Sequence, residues 1–446
     1  MDIAEAKDFY LARFASIEQG LADDGRSWTS EIRRAAIARF AALGFPTTRD
    51  EEWRYTNIAP IVKLPFSRGG SEEDGLTGER IGRLDLRNLA ENQLVFINGH
   101  FSSELSCLGR LPNGVMAGSL AAAMSNSKAK IEPHWARYAD YNGHGFVALN
   151  TALMEDGAFL FLPQGTVVEA PIHLLFIATA PDEATVSHPR SLIVMDRGSQ
   201  ATVVESYPGF ERAVYFTNAV TEIVVGESAV LDHYKVQLES ERAFHIATHQ
   251  VHLERGGNFS SHSIALGGAL ARNDVNVALD GEGGDCTLNG LYVTTGQQHV
   301  DNHTRIDHLK PRCTSRELYK GIMGGKSKGV FNGKIYVHKA AEKTDARQTN
   351  KNLLLSEEAW IDTKPQLEIY NNDVKCSHGS TIGQLDQDAL FYLRSRGIES
   401  RAAIALLTRG FVSDITGRIK SAPVTGWLEK IFAPKIEVIT ADKGKL

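Results

Sequence analysis

Short apolar runs separated by glycine, asparagine and aspartate fill the middle of the chain, from about residue 158 to 383. Such runs, bounded by turn residues and free of a long helical period, are typical of strands. The clearest runs are Phe159–Leu162, His173–Ile177, Leu192–Met195, Ala201–Val204, Glu222–Val225 and Ile264–Leu266. The pattern predicts a domain built from many short strands.

A weak internal repeat indicates how these strands are arranged. The segments MDRGSQATV, VVGESAVLD, ERGGNFSSH and GEGGDCTLN each combine an apolar or acidic lead, a glycine turn and a strand. Their glycines, Gly198, Gly226, Gly257 and Gly284, are 28, 31 and 27 residues apart. Near-constant spacing without a helix in each repeat predicts a parallel β-helix, with these glycines at equivalent corners. An antiparallel sandwich remains the alternative.

The first 145 residues have a mainly helical pattern and are predicted to form a separate domain. Gly44 and Pro46 follow a helical apolar stripe as stop signals. Residues Ser67–Gly82 are predicted to form a loop, Leu94–Ile97 a strand entering a hairpin, and Phe146–Met154 a short helix. The stripe consists of Ile32, Ala35, Ala36, Phe40 and Leu43. The predicted β-helix core then covers residues 146–385.

Residues 386–446 return to a helical pattern. Asp386 is placed as an N-cap and Gly397 as a C-terminal stop. A second helix from about Ser400 places an apolar stripe on one face, consisting of Ile404, Leu407, Phe411 and Ile415. We expect these helices either to cap the β-helix or to dock a partner.

Composition narrows the class of protein. A net charge of −6 without a basic cluster argues against nucleic-acid binding. No apolar run approaches the ~20 residues that span a bilayer, and the N-terminal sequence lacks signal-peptide features, so a cytoplasmic protein is expected. The four cysteines, without paired spacing, fit a reduced compartment.

One pair of side chains is suited to soft metals. Cys376 and His378 are two residues apart near the end of the strand-rich region, so in a strand they project from the same face. Thiolate and imidazole suit zinc, copper or iron–sulfur chemistry. Two ligands make half a site, so the remainder must come from elsewhere in the chain or from a partner. A packed cysteine beside a hydrogen-bonded histidine is the structural alternative.

Other polar patterns are weaker. His299, Asp301 and His303 alternate on one strand and could bind a divalent metal, although a structural polar ladder is favoured. His245, His249 and His252 have helical spacing within a strand-like segment, which argues against a ligand set. The charged residues Glu317, Lys320, Lys326, Lys328, Lys334 and Asp345 are expected on a solvated surface. The chain contains no Walker A motif.

Several segments carry a family resemblance. The sequence DVKCSHGSTIG followed by ALFYLRSRGI, the long stretch from SRELYKG to QLEIY, HVDNHTRIDH (residues 299–308) and EEWRYTNI (residues 51–58) resemble the SufB/SufD family of iron–sulfur cluster assembly proteins. The similarity is dense from about residue 285 to 415 and sparse between about 65 and 140. The KCSHG segment differs from the motif that SufB-like chains carry there, which favours the SufD branch.

The resemblance implies a right-handed parallel β-helix core and a non-catalytic scaffold role. The chain would pair with a SufB-like subunit, with His378, supported by Cys376, at an interface that holds a transient iron–sulfur cluster. No tightly bound cofactor is then expected in isolation. The C-terminal helices would dock a SufC-like ATPase. The predicted docking residues are Phe391, Arg394, Arg396, Gly397, Ile404, Leu407 and Phe411.

Alternatives remain open at this point. The chain could be a SufB-like cluster scaffold, or a β-helical metalloprotein that uses His299, Asp301 and His303. An enzyme acting on polysaccharide is the third, and it would need a carboxylate-lined groove and usually export. Whether the isolated chain forms a homodimer is likewise open.

Overall fold

The structure is a computed structural model that describes residues 3–21, 26–70, 89–180, 183–210 and 213–441. The α-helices are α1 (Ile3–Leu21), α2 (Ser30–Leu43), α3 (Ala59–Val62), α4 (Leu120–Asn126), α5 (Lys128–Ile131), α6 (Gly145–Leu153), α7 (Gln387–Ser395), α8 (Ser400–Thr416) and α9 (Ala422–Ala441). Short 3₁₀ turns occupy Ser27–Thr29 and Glu51–Trp53. None of the helices in these ranges has the length and apolarity needed to cross a bilayer.

The strands are short and numerous. The first ten are β1 (Ser67–Arg68), β2 (Asn92–Ile97), β3 (His100–Cys107), β4 (Met116–Ser119), β5 (Ala158–Leu162), β6 (Ile172–Ile177), β7 (Thr185–Ser187), β8 (Arg190–Met195), β9 (Gln200–Pro208) and β10 (Tyr215–Val225). The others are β11 (Val230–Leu238), β12 (Phe244–Leu253), β13 (Asn258–Ala265), β14 (Leu270–Leu279), β15 (Asp285–Thr294), β16 (His299–His308), β17 (Thr314–Met323), β18 (Lys328–Val337), β19 (Asp345–Leu354), β20 (Trp360–Ile369) and β21 (Lys375–Gly383).

The strands alternate between two sheets that face each other. Sheet A follows the order β20-β18-β16-β14-β12-β10-β8-β5-β4, and sheet B follows β21-β19-β17-β15-β13-β11-β9-β6-β2-β3. Neighbouring strands pair in parallel along both sheets, except that β3 and β4 join antiparallel at one end. The chain is thus a β-solenoid of about eight turns with helices at both termini. The predicted β-helix is confirmed, and the antiparallel sandwich is wrong.

The space between the two sheets, called the lumen below, holds a continuous apolar core. Alternate residues of each strand point inward, because side chains alternate across a strand. Leu160, Ile193 and Ile223 contribute from sheet A, and Leu174 and Val203 from sheet B. Burying such side chains contributes about 1.5–3 kcal/mol each, and this burial holds the coil closed.

Each of the six corners that lead to β9, β11, β13, β15, β17 and β19 contains one residue in the left-handed region, two positions before the sheet B strand. These residues are Gly198, Ser228, Gly256, Gly283, Arg312 and Lys343, with φ of 66, 56, 62, 73, 60 and 57°. The amide of each donates to a carbonyl of the corner one turn further on, at 2.6–3.0 Å. Glycine adopts this conformation without a Cβ penalty, which explains its frequency at these corners.

This column of left-handed residues corrects the repeat inferred from sequence. Gly198, Gly226, Gly257 and Gly284 all lie in the predicted kind of corner, but Gly198 alone among them occupies the left-handed position. The equivalent residues are Ser228, Gly256 and Gly283. Position-by-position equivalence of the four glycines is therefore wrong, although their assignment to one edge of the solenoid is right.

The N-terminal helices cover the outer face of sheet A. Phe40 and Phe45 pack with Phe146, whose helix α6 matches the predicted short helix, against Phe216 and other outward side chains. The predicted hairpin at Asn98–Gly99 joins β2 to β3, and β2 belongs to sheet B. The predicted loop Ser67–Gly82 begins with β1, and residues 71–82 lie outside the described ranges.

The C-terminal helices lie along the outer face of sheet B. Val412 and Ile415 of α8, and Trp427 of α9, share one apolar cluster with Tyr234 and Leu291 of the sheet. The helices therefore do not cap the end of the solenoid, because their apolar stripes are buried against its side. Asp386 caps α7 by accepting from the amides of Asp388 and Ala389, and Gly397 adopts φ 84° after it.

Candidate functional site

Cys376 and His378 lie on β21, the last strand of sheet B. They stand beside Ala346 and Gln348 of β19 in register, so both project toward the lumen side of the sheet. Cys376 is half-buried and packs beside Val337 and Ala346. The imidazole of His378 is exposed. The strand thus holds the two side chains on one face, at the open margin of the molecule.

The surroundings of Cys376 affect the protonation of its thiol. Burial raises the pKa of the Cys376 thiol, and the negative charge of Asp345 adds to this, against a lowering contact from the Ala346 backbone. The thiol is therefore protonated at neutral pH and is a poor metal ligand by itself. His378 is the more exposed of the two side chains.

The last turn of the solenoid presents two strand edges. Among the described strands, β20 pairs with β18 and β21 pairs with β19, and each has its other edge unpaired. The turn also exposes large apolar side chains, including Trp360 at 61%, Ile382 at 50% and Tyr370 at 52%. Unpaired strand edges are a template for pairing with another chain, although β20 also carries Lys364 and Pro365, residue types that often protect an edge. This end of the solenoid has the features of an interface.

The residues of α7 and α8 divide into an exposed and a buried group. Phe391 is 73% exposed, and Arg394, Arg396 and Gly397 are exposed beside it. Ile404 is buried against sheet B and takes no part in any exposed surface.

Leu407 and Phe411 are partly buried in the same cluster as Ile404. Phe411 also receives the ammonium of Lys320 at 3.8 Å from its ring centroid. The stripe on α8 therefore faces its own sheet, and α7 carries the free surface.

The strand with His299, Asp301 and His303 anchors the N-terminal segment. The Thr56 hydroxyl donates to Asp301 Oδ2 at 2.6 Å and lies 2.9 Å from His299 Nε2. Arg272 donates to the same carboxylate oxygen at 3.0 Å and stacks over the ring of Trp53 at 3.8 Å. These polar groups hold residues 51–58 on sheet A. This is a structural role, which the sequence analysis favoured over metal binding.

Two family models match the chain. The model of the SUF system FeS cluster assembly, SufBD core domain, matches residues 176–411, and that of the SufBD protein N-terminal region matches residues 4–174. The first match covers the solenoid turns with the open end, and the second covers the helices and strands before them.

The chain belongs to the SufBD family.

Similar proteins extend this membership over nearly the whole length. A SufBD family iron–sulfur cluster assembly protein of Synechocystis is 33% identical over 406 residues, covering 89% of each chain. The iron–sulfur cluster assembly protein SufD of Escherichia coli is 33% identical over 386 residues, covering 86% of this chain and 88% of its own. SufD of Bacillus subtilis is 26% identical over 442 residues, covering 96% and 97%. The resemblance to this family is confirmed, and the chain is a SufD homologue of the SUF system.

Some charged residues of this SufBD chain lie where the sequence did not place them. Glu317 and Lys320 were expected on a solvated surface, and both are buried. Glu317 points into the lumen, where Gln348 Nε2 donates to it at 2.7 Å, and burial raises its pKa to about 7. Lys320 points outward under α8 and pairs with Asp414 at 2.7 Å. The expectation fails because Glu317 and Lys320 lie on opposite faces of a strand that is covered on both sides.

Sequence reasoning also missed a group of polar residues in the lumen. Glu205, His233 and His249 lie on β9, β11 and β12, and each is almost fully buried. Within the described parts of the chain, they form the group whose three metal-ligand atoms all lie within 4.8 Å of one another. The available signal was a single polar residue at an inward position of an apolar strand, as in VVESY around Glu205. The sequence alone does not show that β12 lies close to β9 and β11, because this depends on how the turns of the solenoid stack.

Proposed function

We propose that this SufD homologue is a non-catalytic scaffold subunit of an iron–sulfur cluster assembly complex. In this proposal its open end pairs with a SufB-like β-helical subunit, and its C-terminal helices dock a SufC-like ATPase. A transient iron–sulfur cluster would form where His378, supported by Cys376, faces the SufB-like subunit. The observation that carries the proposal is the unshielded last turn, with two free strand edges and exposed apolar side chains beside His378.

The backbone geometry of β21 supports partner pairing at this edge. The Lys375 amide donates to the Thr344 carbonyl across the sheet at 2.8 Å. Backbone groups alternate in direction along a strand, so those of Cys376, His378, Ser380 and Ile382 point away from β19. A strand from a partner could accept these bonds and would then lie directly beside the side chains of the proposed cluster site.

The surface of α7 supports ATPase docking. This helix has no buried residue, and it presents Phe391 and Tyr392, at 73% and 56% exposure, next to two arginines. An aromatic anchor with arginine at its rim is a common composition of a protein interface. The docking surface proposed here is therefore Phe391, Tyr392, Arg394 and Arg396, without Ile404.

The test is co-purification of the full chain with a SufB-like subunit and a SufC-like ATPase. Ile382→Lys places a charge on the open edge, and we expect it to weaken capture of the SufB-like subunit by at least ~10-fold. Phe391→Ala should weaken capture of the ATPase to a similar degree and leave the first interaction unchanged.

Two exposed apolar residues elsewhere serve as matched controls. Val167 is 48% exposed and lies outside the last turn of the solenoid, and Val438 is 60% exposed and lies on α9. The control substitutions are Val167→Lys and Val438→Ala. Both should retain both partners. Wild-type capture of the SufB-like subunit by the Ile382→Lys variant would contradict pairing through this edge, and loss of capture by Val167→Lys would remove its specificity.

A further inference from the structure

We infer that Glu205, His233 and His249 form a binding site for one divalent transition-metal ion, Zn²⁺ or Fe²⁺, inside the lumen of the solenoid. This site is separate from the exposed pair at the open edge. The inference does not depend on partner binding, since all three ligands belong to this chain and are buried within it.

The solenoid register brings the three residues together from both sheets. Lys235 stands opposite Glu205 in the pairing of β9 with β11, and His233 lies two residues before it, on the same inward face. His249 approaches from β12 of the opposite sheet, as its 5.4 Å ring separation from His233 shows. The site therefore bridges the two walls of the lumen.

The distances suit a tetrahedral ion. Oε2 of Glu205 lies 3.2 Å from Nε2 of His233 and 3.2 Å from Nε2 of His249. Ligands at about 2.0–2.1 Å from a tetrahedral centre are ~3.3 Å apart, which matches these two separations. Two imidazoles and one carboxylate are the ligand set of several zinc sites and of non-haem ferrous sites, with an open position for water.

The atoms that would not bind metal are fixed by other contacts. Nδ1 of His233 lies 3.0 Å from the Ser261 hydroxyl. The hydroxyl oxygen can accept a hydrogen bond from Nδ1–H, and the lone pair of the ring is then on Nε2. The second oxygen of Glu205 accepts from the hydroxyls of Tyr207 and Thr221. Hydrogen bonds of this kind orient metal ligands from behind.

His249 is the side chain whose hydrogen bonding is incomplete. Its Nδ1 is buried and has no hydrogen-bond partner. Hydrogen bonding at Nδ1 therefore does not require the proton to sit on Nε2. A metal-directed lone pair on Nε2 would place the proton on Nδ1, where the described structure offers it no acceptor.

The charge balance also favours a cation. Glu205 is fully buried, and its ion-pair contacts in the described structure are the two imidazoles.

The neighbouring ammonium of Lys235 is directed elsewhere, toward His245 at 3.0 Å and Asn273. A buried carboxylate without a contacting positive charge is costly, and a divalent ion would supply that charge.

The experiment is metal loading of the isolated full chain. The protein is unfolded, stripped with a chelator, and refolded with Zn²⁺, with Co²⁺ as a spectroscopic substitute, or with Fe²⁺ under anaerobic conditions. We expect about one ion per chain after desalting and the visible absorption of four-coordinate Co²⁺. Comparison of the zinc and iron arms shows which ion is retained more tightly.

Variants assign the ion to its ligands. Glu205→Gln keeps the shape of the side chain and should lower retained metal by at least ~10-fold, and His249→Gln should do the same. His308→Gln, at another buried histidine that faces Ser315, is the matched control and should retain the ion. His378→Ala should also retain it, which separates the lumen site from the edge pair.

The wild-type chain decides the outcome even if a variant does not fold. An ion bound to the native state raises the melting temperature by mass action, so refolding with Zn²⁺ should raise it relative to the chelated protein. The proposal is overturned if refolded wild type retains no Zn²⁺, Co²⁺ or Fe²⁺ and its melting temperature is unchanged. It is equally overturned if Glu205→Gln retains as much metal as wild type.

Discussion

The two ends of the solenoid are finished in different ways. At the N-terminal end, β3 runs antiparallel to β2 and has the polar sequence HFSSELSC, while Phe101, Leu111 and Val115 pack against the lumen core. At the C-terminal end, β20 and β21 continue the parallel ladders to the last residue and expose Trp360 and Ile382. One end is plugged and polar, and the other keeps the coil geometry open. This difference fits the proposed pairing of the second end with another protein.

The lumen changes in the same direction. Near the plugged end it is lined by Leu94, Phe96 and Leu174. Near the open end, β19 turns Gln348 and Asn350 inward, and both are buried. Polar groups cost stability when buried unless hydrogen bonds satisfy them. Gln348 donates to Glu317 and Asn350 donates to the Tyr319 carbonyl, so hydrogen bonds replace part of the apolar packing near the open end.

The largest expected effect contrasts side chains at the two ends. Phe96 is fully buried and stacks on Phe176 at 4.8 Å between ring centroids, so Phe96→Ala should lower the free energy of unfolding by ~3–5 kcal/mol. Ile382→Ala at the open end should change it by about 0.5 kcal/mol. Urea unfolding of the isolated chain measures both. Equal losses at the two positions would end the comparison.

A second prediction concerns the cost of the polar lumen. Burial raises the Glu317 pKa to about 7, so the folded state binds a proton that the unfolded state loses above its ordinary pKa of 4.5. The stabilisation is present below pH 4.5 and is lost as the pH rises through about 7, by ~3 kcal/mol in total.

Glu317→Gln removes this titration. Its stability relative to wild type should therefore increase by that amount between pH 4.5 and pH 8, as measured by urea unfolding at several pH values. A wild-type to variant difference that is independent of pH would show that folding does not shift the pKa of Glu317.

The smallest effect on stability is expected at the proposed cluster site. His378→Ala should change the free energy of unfolding by less than ~0.5 kcal/mol, because the side chain is exposed. Cluster assembly by the whole complex should nevertheless fall, whereas Cys376→Ala should reduce it less, because its thiol is protonated. The measurement is cluster formation at matched protein levels, with the exposed His144→Ala as control. Full activity of His378→Ala would remove the site.

Local sequence patterns predicted the helices and strands. The contacts between distant strands and helices depend on the register of the solenoid, which the sequence patterns do not show. Asp386 and Gly397 were found in sequence because a cap and a left-handed stop are local chemistry. The apolar stripe of α8 predicted that Ile404 would be buried against something, but a stripe does not identify its partner, which is sheet B. The lumen group was out of reach, because His249 meets Glu205 only once two turns are stacked. The predicted equivalence of the corner glycines was wrong, because the left-handed position is not restricted to glycine. Ser228, Arg312 and Lys343 also occupy it.

The left-handed column has a consequence for how these solenoids can diverge in length. Each sheet B strand begins two residues after its left-handed residue, from Gly198 before β9 to Lys343 before β19. The stretch before that residue varies instead: β8 ends three residues before Gly198, and β18 ends six before Lys343. Insertions are thus absorbed upstream of a fixed starting point. The inward-facing sequence of each new turn keeps its phase, so a loop can grow at this edge without moving a single residue from the lumen to the surface.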